Sequence, residues 1–236
     1  MKPNSRFGYD PDLEINLETR AIIYFFIFAS FLVSCKKKEK SSGDSSRYLF
    51  YLHGGIVQEQ GPGAISPQFG PYQYFDILDT LRSFGFVVIS EVRPKSTEEI
   101  QYARKVSIQI DSLQNTGVKP DQIIVVGASL GAYIAVETAK IQKDPEVRYV
   151  LIGLCSDYAL DRYLNYREEL CGNFLSIYEK SDQKGSCNSI LDDLNCKTGY
   201  IEIQTDTGLG HGFLYTPNSA WVDPLVKWIN GTLTRQ

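Results

Sequence analysis

Short apolar runs alternate with longer segments from about residue 47 onward, and this alternation constrains the fold more than any other feature of the chain. The runs are rich in β-branched and aromatic residues, and they predict strands at Tyr48–Leu52, Phe86–Val92, Ile123–Val126, Tyr149–Leu154, Phe174–Tyr178 and Tyr200–Gln204. Each interval between them is long enough to hold a helix. Strands that alternate with helices form a parallel sheet, because right-handed crossovers place helices on both of its faces. We therefore expect a three-layer α/β domain with a mainly parallel sheet of about six strands.

One interval carries a clear helical pattern. Between Thr97 and Leu113 apolar residues recur every three to four positions, which predicts an amphipathic helix. The segment Ser96-Thr97-Glu98-Glu99 predicts a capping residue and an acidic first turn. Further helices are predicted at Tyr74–Leu81, Ser129–Lys140 and Ala220–Ile229. The segment from Ile56 to Tyr74 is rich in glycine and proline, so we expect an ordered, irregular loop that contacts the substrate.

Length and charge limit the number of domains and the kinds of partner. A chain of 236 residues with 43% hydrophobic content can bury one full core, so we expect one domain at residues 47–236. Its net charge is −4 and its pI is near 5.3, so it lacks the basic balance that nucleic-acid binding requires. Nucleic acid is therefore not an expected partner.

The N-terminal region carries an export pattern. Ala21 to Val33 is an uninterrupted apolar stretch, shorter than the roughly 20 residues that span a bilayer and similar in length to the apolar part of a signal peptide. Leu32-Val33-Ser34-Cys35 resembles a bacterial lipobox, which implies that Cys35 is lipidated and holds the protein at a bacterial membrane, on the periplasmic face or at the cell surface. We expect a signal peptide at residues 1–34 and a polar tether at residues 35–46. A short membrane-anchoring helix and a buried apolar segment remain open as alternatives.

The other four cysteines lie in the C-terminal half, at Cys155, Cys171, Cys187 and Cys196. Disulfides persist outside reducing compartments, so an exported chain is expected to form two of them. Four cysteines allow three pairings, which the sequence leaves open. We favour Cys187 with Cys196 and Cys155 with Cys171, and free cysteines buried as small apolar side chains are the alternative.

Chemically useful residues follow directly after the predicted strands. In an open parallel sheet the carboxyl ends of the strands meet at one edge, where active sites form. We therefore expect this edge to gather the residues that follow the six predicted strands, which are His53-Gly54-Gly55, Arg93-Pro94, Ser129, Asp157, Asp182 and His211.

Ser129 is the candidate nucleophile. It lies at the centre of the pentapeptide Gly127-Ala128-Ser129-Leu130-Gly131, directly after the predicted strand Ile123–Val126. A tight turn from strand to helix leaves no room for bulk two residues before and after the serine, and glycine fits both positions. A serine hydroxyl also needs a neighbouring base, an acid that orients the base, and donors for the oxyanion. A glycine-rich turn with an incidental serine is the alternative.

The order of these elements resembles that of the α/β-hydrolase fold. The resemblance rests on the His53-Gly54-Gly55 turn, the pentapeptide around Ser129, a later aspartate and a final histidine, and it covers residues 47–236. It implies Ser129 as nucleophile, His211 as general base and Asp182 as the acid that orients the histidine. Histidine suits this role because its side chain titrates near neutral pH. The acids that remain open besides Asp182 are Asp157, Glu179 and Asp206.

The resemblance also implies an oxyanion hole made of two backbone N–H groups, those of Gly55 and Leu130. His53 is then expected to be structural, with its ring hydrogen-bonded to backbone. Only 11 residues separate Cys35 from Arg47, so we expect any extra antiparallel strands before the first strand to be missing or minimal. Fewer than 20 residues lie between the fourth and fifth predicted strands, so we expect a small, open site without a large lid.

A serine hydrolase is the function that this resemblance implies, cutting an ester, thioester or amide of a small-molecule or acyl substrate through an acyl-enzyme on Ser129. Two other functions remain open, namely an inactive scaffold that acts as a binding protein, and an acyltransferase. The sequence contains no Gly-x-Gly-x-x-Gly or phosphate-binding loop, and its histidines and cysteines lack metal-ligand spacing. We therefore expect neither a cofactor nor a metal.

Overall fold

The structure is a computed structural model, and it describes residues 46–233. The predicted signal peptide at residues 1–34, the predicted lipidation site Cys35 and nearly all of the predicted tether lie outside the described residues. Within residues 46–233, no helix combines the length and the hydropathy needed to cross a bilayer.

A parallel sheet forms the middle layer of the domain. Its strands are β1 (Arg47–Leu52), β4 (Phe86–Ile89), β5 (Ile123–Ala128), β6 (Arg148–Ile152), β7 (Cys171–Glu179) and β8 (Cys196–Thr205). A separate antiparallel hairpin pairs β2 (Ile65–Ser66) with β3 (Gly70–Pro71). The spatial order in the sheet is β4–β1–β5–β6–β7–β8, and every neighbouring pair is parallel. The expected mainly parallel sheet of about six strands is confirmed.

Helices connect the strands. They are α1 (Gly55–Gln60), α2 (Tyr74–Ser83), α3 (Glu99–Asn115), α4 (Leu130–Gln142), α5 (Asp157–Leu164), α6 (Asn188–Leu191) and α7 (Ser219–Ile229). The four predicted helices are present as α2, α3, α4 and α7. The predicted cap of α3 is wrong, since the N-cap residue is Glu98 and no side chain caps the helix. The residues before it form a turn instead, in which the N–H of Thr97 donates to the carbonyl of Pro94 at 3.0 Å.

Some short elements were not predicted. The predicted loop after Ile56 contains most of α1 and the whole β2–β3 hairpin, which are too short to show a periodic pattern. Helix α5 was not predicted either, although Ser156 is a typical capping residue and accepts a hydrogen bond from the N–H of Ala159 at 3.4 Å.

The core lies on both faces of the sheet. Side chains alternate along a strand, so Phe50 and Val125 face one layer of helices while Leu49 and Val126 face the other. The first layer contains α3 and α4, and the second contains α2 and α7. Every residue of β5 is buried, which explains why this central strand reads as a continuous apolar run.

Two disulfides join Cys155 to Cys187 and Cys171 to Cys196, so the favoured pairing is wrong. The physical reason is strand register, because Cys171 and Cys196 are directly opposite each other at the start of β7 and β8, with their Cα atoms 4.6 Å apart. Cys155 follows β6 and pairs through its backbone with Gly185, which brings Cys187 within reach.

We predict that peptide mapping under non-reducing conditions recovers Cys155 linked to Cys187 and Cys171 linked to Cys196. Each bridge closes a loop in the unfolded chain, so reduction is expected to lower the free energy of unfolding by about 2–4 kcal/mol per bridge, measured by urea denaturation with and without reductant. A cross-linked peptide that joins Cys187 to Cys196 would contradict this arrangement.

Candidate active site

The turn between β5 and α4 holds Ser129 in a strained backbone conformation. Its φ is 52° and its ψ is −115°, in a region that residues other than glycine rarely occupy. The turn is held in place because the N–H of Ser129 donates to the carbonyl of Ile152 at 2.9 Å and the N–H of Ala132 donates to the carbonyl of Ser129 at 2.8 Å. The serine hydroxyl therefore lies at the carboxyl edge of the sheet, where the sequence predicted it.

Close backbone contacts explain the two glycines of the pentapeptide. A Cβ atom on Gly131 would lie 1.8 Å from the carbonyl oxygen of Leu52 at the end of β1. A Cβ atom on Gly127 would lie 2.4 Å from the carbonyl oxygen of Gly131. Both distances are far below van der Waals contact, so the first turn of α4 can approach β1 and β5 only when both positions are glycine.

Three side chains from distant parts of the sequence form a hydrogen-bonded chain at this edge. The Nε2 atom of His211 lies 2.9 Å from the Oγ atom of Ser129, and its Nδ1 atom lies 2.5 Å from the Oδ2 atom of Asp182. The Asp182 side chain is 5% exposed and that of His211 is 21% exposed, so the carboxylate is shielded while the ring borders solvent. An ionised Asp182 places the proton of a neutral ring on Nδ1, which leaves Nε2 free to accept the serine proton.

The structure separates the four acids that the sequence left open. Asp157 is exposed in the first turn of α5, and the exposed Asp206 pairs with Lys180 at 2.8 Å. Glu179 is buried at the end of β7, where it accepts hydrogen bonds from serine and threonine hydroxyl groups and from backbone N–H groups. Among the described residues, Asp182 is the acid that the structure brings to His211.

The predicted oxyanion donors Gly55 and Leu130 lie side by side. Gly55 is the first residue of α1 and Leu130 the first residue of α4, and a Cβ atom on Gly55 would lie 3.5 Å from the Cδ2 atom of Leu130. Both residues begin a helix, where the first N–H groups have no acceptor within the helix. The positive ends of two helices meet at this position.

His53 has the structural role that the sequence predicted. Its ring is fully buried, its Nδ1–H donates to the carbonyl of Gly54 at 2.9 Å, and its Nε2 atom accepts a hydrogen bond from the N–H of Arg93 at 3.0 Å. Burial and the positive charge of Arg93 lower the pKa of His53 to about 4, so the ring is neutral near pH 7. It joins the turn after β1 to the segment after β4.

Sequence reasoning placed Arg93 at this edge but gave it no role. Its guanidinium is almost fully buried, and it donates to the carbonyl oxygen of His53 and to the Oε1 atom of Gln58, the latter at 3.0 Å. Burial lowers the pKa of Arg93 to about 10, so the side chain remains charged near pH 7. Arg93 therefore fixes both the His53-Gly54-Gly55 turn and α1. Both contacts join residues more than 30 positions apart, so no local pattern predicts them.

The cavity beside Ser129 is small and has aromatic walls. Its volume is about 40 Å³, little more than one water molecule occupies in the liquid, and its lining includes Ile56, Leu214 and the two tyrosines Tyr72 and Tyr215. The hydroxyl of Tyr72 lies 2.6 Å from that of Tyr51, and the rings of Tyr72 and Tyr215 are 5.0 Å apart. These contacts hold the walls in place, so the cavity accepts only a short substituent.

A larger open groove is lined in part by Leu130, the residue that follows Ser129. It has a volume of about 930 Å³. Its lining is mostly polar and charged, and includes Gln58, Glu98, Arg104 and Arg162. The groove is therefore far larger than the cavity that contains Ser129. Among the described residues, no group of three or more His, Cys, Asp or Glu side chains is arranged as a metal site.

Known proteins identify the fold. No protein-family profile matches the chain and no curated protein matches it, but solved structures do. A structure from Agrobacterium tumefaciens, described as an α/β hydrolase of unknown function, matches with a TM-score of 0.52 and 19% identity, over 81% of this chain and 89% of that chain. A cold-adapted esterase from an Arctic intertidal metagenomic library matches with a TM-score of 0.51 and 13% identity, over 82% and 85%. This chain has the α/β-hydrolase fold.

Another α/β hydrolase among these structures is the acylaminoacyl peptidase of Pyrococcus horikoshii, with a TM-score of 0.52 and 14% identity. The match covers 84% of this chain but only 39% of that longer enzyme. Identities this low establish the α/β-hydrolase fold and leave the activity to the chemistry of the site.

We predict that Gly131→Ala lowers the free energy of unfolding by at least about 2 kcal/mol, because the new methyl group overlaps the carbonyl of Leu52. Gly63→Ala is the matched control, since a Cβ atom there meets nothing within 4 Å and the expected change is within about 0.5 kcal/mol. Urea denaturation followed by circular dichroism measures both. Equal stability of the two variants would show that α4 does not approach β1 as closely as described.

Proposed function

We propose that the protein is a serine hydrolase that cuts an ester, thioester or amide through an acyl-enzyme on Ser129. The observation that carries this proposal is the continuous hydrogen-bonded chain from Ser129 through His211 to Asp182. Each atom in that chain has the geometry its role requires, with a base nitrogen 2.9 Å from the hydroxyl oxygen and a carboxylate on the opposite nitrogen.

The reaction begins when Nε2 of His211 takes the proton of Ser129 Oγ and the oxygen attacks the carbonyl carbon of the substrate. The carbonyl oxygen becomes an oxyanion, which accepts hydrogen bonds from the N–H groups of Gly55 and Leu130. Asp182 stabilises the imidazolium ion that has formed and keeps its Nδ1–H oriented. Preorganised donors need no rearrangement at this step, because α1 and α4 already hold them.

The tetrahedral intermediate collapses when its bond to the leaving group breaks. His211 returns its proton to the leaving oxygen, sulfur or nitrogen, and the acyl group stays on Ser129 as an ester. A water molecule then enters, loses a proton to His211 and attacks the acyl carbon. The second intermediate breaks its bond to Ser129 Oγ and releases the carboxylic acid, while His211 returns its proton to Ser129 Oγ.

The site favours substrates with one short and one longer substituent on the scissile carbonyl. The cavity of about 40 Å³ beside Ser129 has room for a group about the size of a methyl, while the groove that Leu130 lines is open to solvent. Esters with a short acyl group and a large leaving group, such as p-nitrophenyl acetate, match this arrangement. The names of two similar structures, an esterase and an acylaminoacyl peptidase, agree with ester and amide chemistry.

We predict that Ser129→Ala lowers turnover of p-nitrophenyl acetate by at least about 10³-fold, because the nucleophile is lost. A fluorophosphonate probe labels the wild-type protein at Ser129 and does not label the variant. Ser112→Ala is the control, because Ser112 is exposed on α3, and it keeps activity and labelling.

Activity that survives in Ser129→Ala would refute the proposed function. A binding protein without activity would give neither turnover nor labelling in the wild type. An acyltransferase would be labelled but would transfer the acetyl group to a supplied alcohol faster than to water, as product analysis by mass spectrometry shows.

We predict that Asp182→Asn lowers kcat by about 10²- to 10⁴-fold, because an amide does not stabilise the imidazolium ion. The matched variant Asp157→Asn changes kcat by less than about twofold, since Asp157 is exposed on α5. Steady-state kinetics on p-nitrophenyl acetate compare the two. A large loss in Asp157→Asn together with an active Asp182→Asn would assign the acid to α5 instead.

We also propose that the protein is exported and anchored to a bacterial membrane through a lipid on Cys35. The two disulfides support export, since such bonds persist outside reducing compartments. Metabolic labelling with a fatty-acid analogue is expected to mark the wild type and Ser41→Ala, and to leave Cys35→Ser unlabelled and free of the membrane fraction. Equal labelling of Cys35→Ser would exclude this anchor.

A further inference from the structure

Glu179 is a buried carboxylate that the proposed reaction does not use directly. It lies at the end of β7 and is 0% exposed. Its Oε2 atom accepts from the hydroxyl of Thr205 at 2.7 Å, and from the N–H and the hydroxyl of Thr207 at 2.9 and 2.8 Å. Its Oε1 atom accepts from the hydroxyl of Ser181 at 3.0 Å, with longer contacts at 3.4 and 3.3 Å to the N–H groups of Ser181 and Gly208. The donors to this buried anion are neutral hydroxyl and backbone groups.

Apart from Thr205, which ends β8, these donors belong to the two loops that lead to Asp182 and His211. Ser181 precedes Asp182 in the loop after β7, and Thr207 and Gly208 precede His211 in the loop after β8. The N–H of Asp182 donates to the backbone carbonyl of Glu179 at 2.9 Å, so the acid is also attached to this residue through the main chain. Glu179 therefore contacts both loops at once.

A second contact continues from Glu179 to the residue beside the base. The Oγ atom of Ser181, which donates to Glu179, accepts a hydrogen bond from the N–H of Gly210 at 3.0 Å. Gly210 has a φ of 53° and immediately precedes His211. A short path of hydrogen bonds thus connects Glu179 to the backbone that carries the imidazole.

The carboxylate is charged near neutral pH. Burial raises the pKa of Glu179, but the hydrogen bonds from Thr207, Thr205 and Ser181 lower it by more, to about 2. An ionised carboxylate is an acceptor only and offers about four lone-pair positions, which suits a site where every partner is a donor. A glutamine side chain has the same size but carries an NH2 group, whose two hydrogens would face these donors and accept no hydrogen bond from them.

We propose that Glu179 is a positioning residue that joins the loop of Asp182 to the loop of His211 and so sets the distance between acid and base. This inference rests on the proposed function. Proton transfer requires His211 to lie within hydrogen-bond reach of both Ser129 and Asp182, and a displacement of about 1 Å can reduce the rate about 10²-fold. Glu179 touches neither the substrate nor the reacting atoms, and it acts through the two loops.

Variants of Glu179 and Thr207 test this role with p-nitrophenyl acetate as the substrate. Glu179→Gln is expected to lower kcat by at least about 10-fold with KM changed less than about twofold, because the substrate-binding cavity is lined by other residues. Thr207→Val removes one hydroxyl donor and is expected to lower kcat by about 3- to 10-fold. Thr207→Ser keeps the donor and is expected to restore most of the wild-type kcat.

Glu137→Gln is the matched control for a loss of stability alone. Glu137 lies on α4 and is also a buried carboxylate, 5% exposed, but its partner is Arg162 on α5 at 2.9 Å rather than a group in either loop. The Glu137→Gln variant is expected to be less stable in urea denaturation and to keep the wild-type kcat. If Glu179→Gln does not fold, the difference in kcat between Thr207→Val and Thr207→Ser tests the positioning role without it.

A double-mutant cycle with Asp182→Asn separates positioning from an independent effect. If Glu179 acts through the acid and base, the double variant loses less activity than the product of the two single losses, because the interaction that Glu179 orients is already weakened. Multiplicative losses, or a wild-type kcat in both Glu179→Gln and Thr207→Val, would overturn this role while Ser129→Ala remained inactive. Activity in Ser129→Ala would overturn the proposed function and this role together.

Discussion

The close approach of α4 to the ends of β1 and β5 is the contact on which the rest of the site depends. Gly131 lies where a Cβ atom would overlap the carbonyl of Leu52, so the helix meets the strand backbone to backbone. This contact gives Ser129 its positive φ and brings Leu130 beside Gly55. Because β1 continues into His53 and Gly54, a single packing contact positions both Ser129, the proposed nucleophile, and the turn that holds Gly55, the proposed second oxyanion donor.

Parallel pairing of β7 with β8 brings together Asp182 and His211, the proposed acid and base. Glu179 and Thr205 are register partners at the ends of these strands, and Asp182 and His211 follow within a few residues. Buried polar groups then fix the loops beyond the strands. Glu179 holds the loops after β7 and β8, and Arg93 together with His53 holds the turn after β1 and helix α1. Each of these groups has several hydrogen-bond partners, which offset the free energy lost when a polar side chain leaves water.

Much of this arrangement could be predicted from the sequence, because it follows from local pattern and topology. Apolar runs predicted the parallel sheet, and the rule that strand ends gather at one edge brought Ser129, Asp182 and His211 to the same place. The disulfides could not be predicted, since they depend on the register that sets Cys171 opposite Cys196. The roles of Glu179 and Arg93 were also missed, because their partners are mostly backbone groups and hydroxyls distant along the chain.

The central claim is that Ser129 carries the acyl group during turnover. The most direct measurement mixes the protein with p-nitrophenyl acetate, stops the reaction with acid within milliseconds, and analyses proteolytic peptides by mass spectrometry. We predict an initial release of about one equivalent of p-nitrophenol per protein and an acetyl group on the peptide that contains Ser129. Turnover with no acetylated peptide, or with the acetyl group on a different residue, would contradict the proposed mechanism.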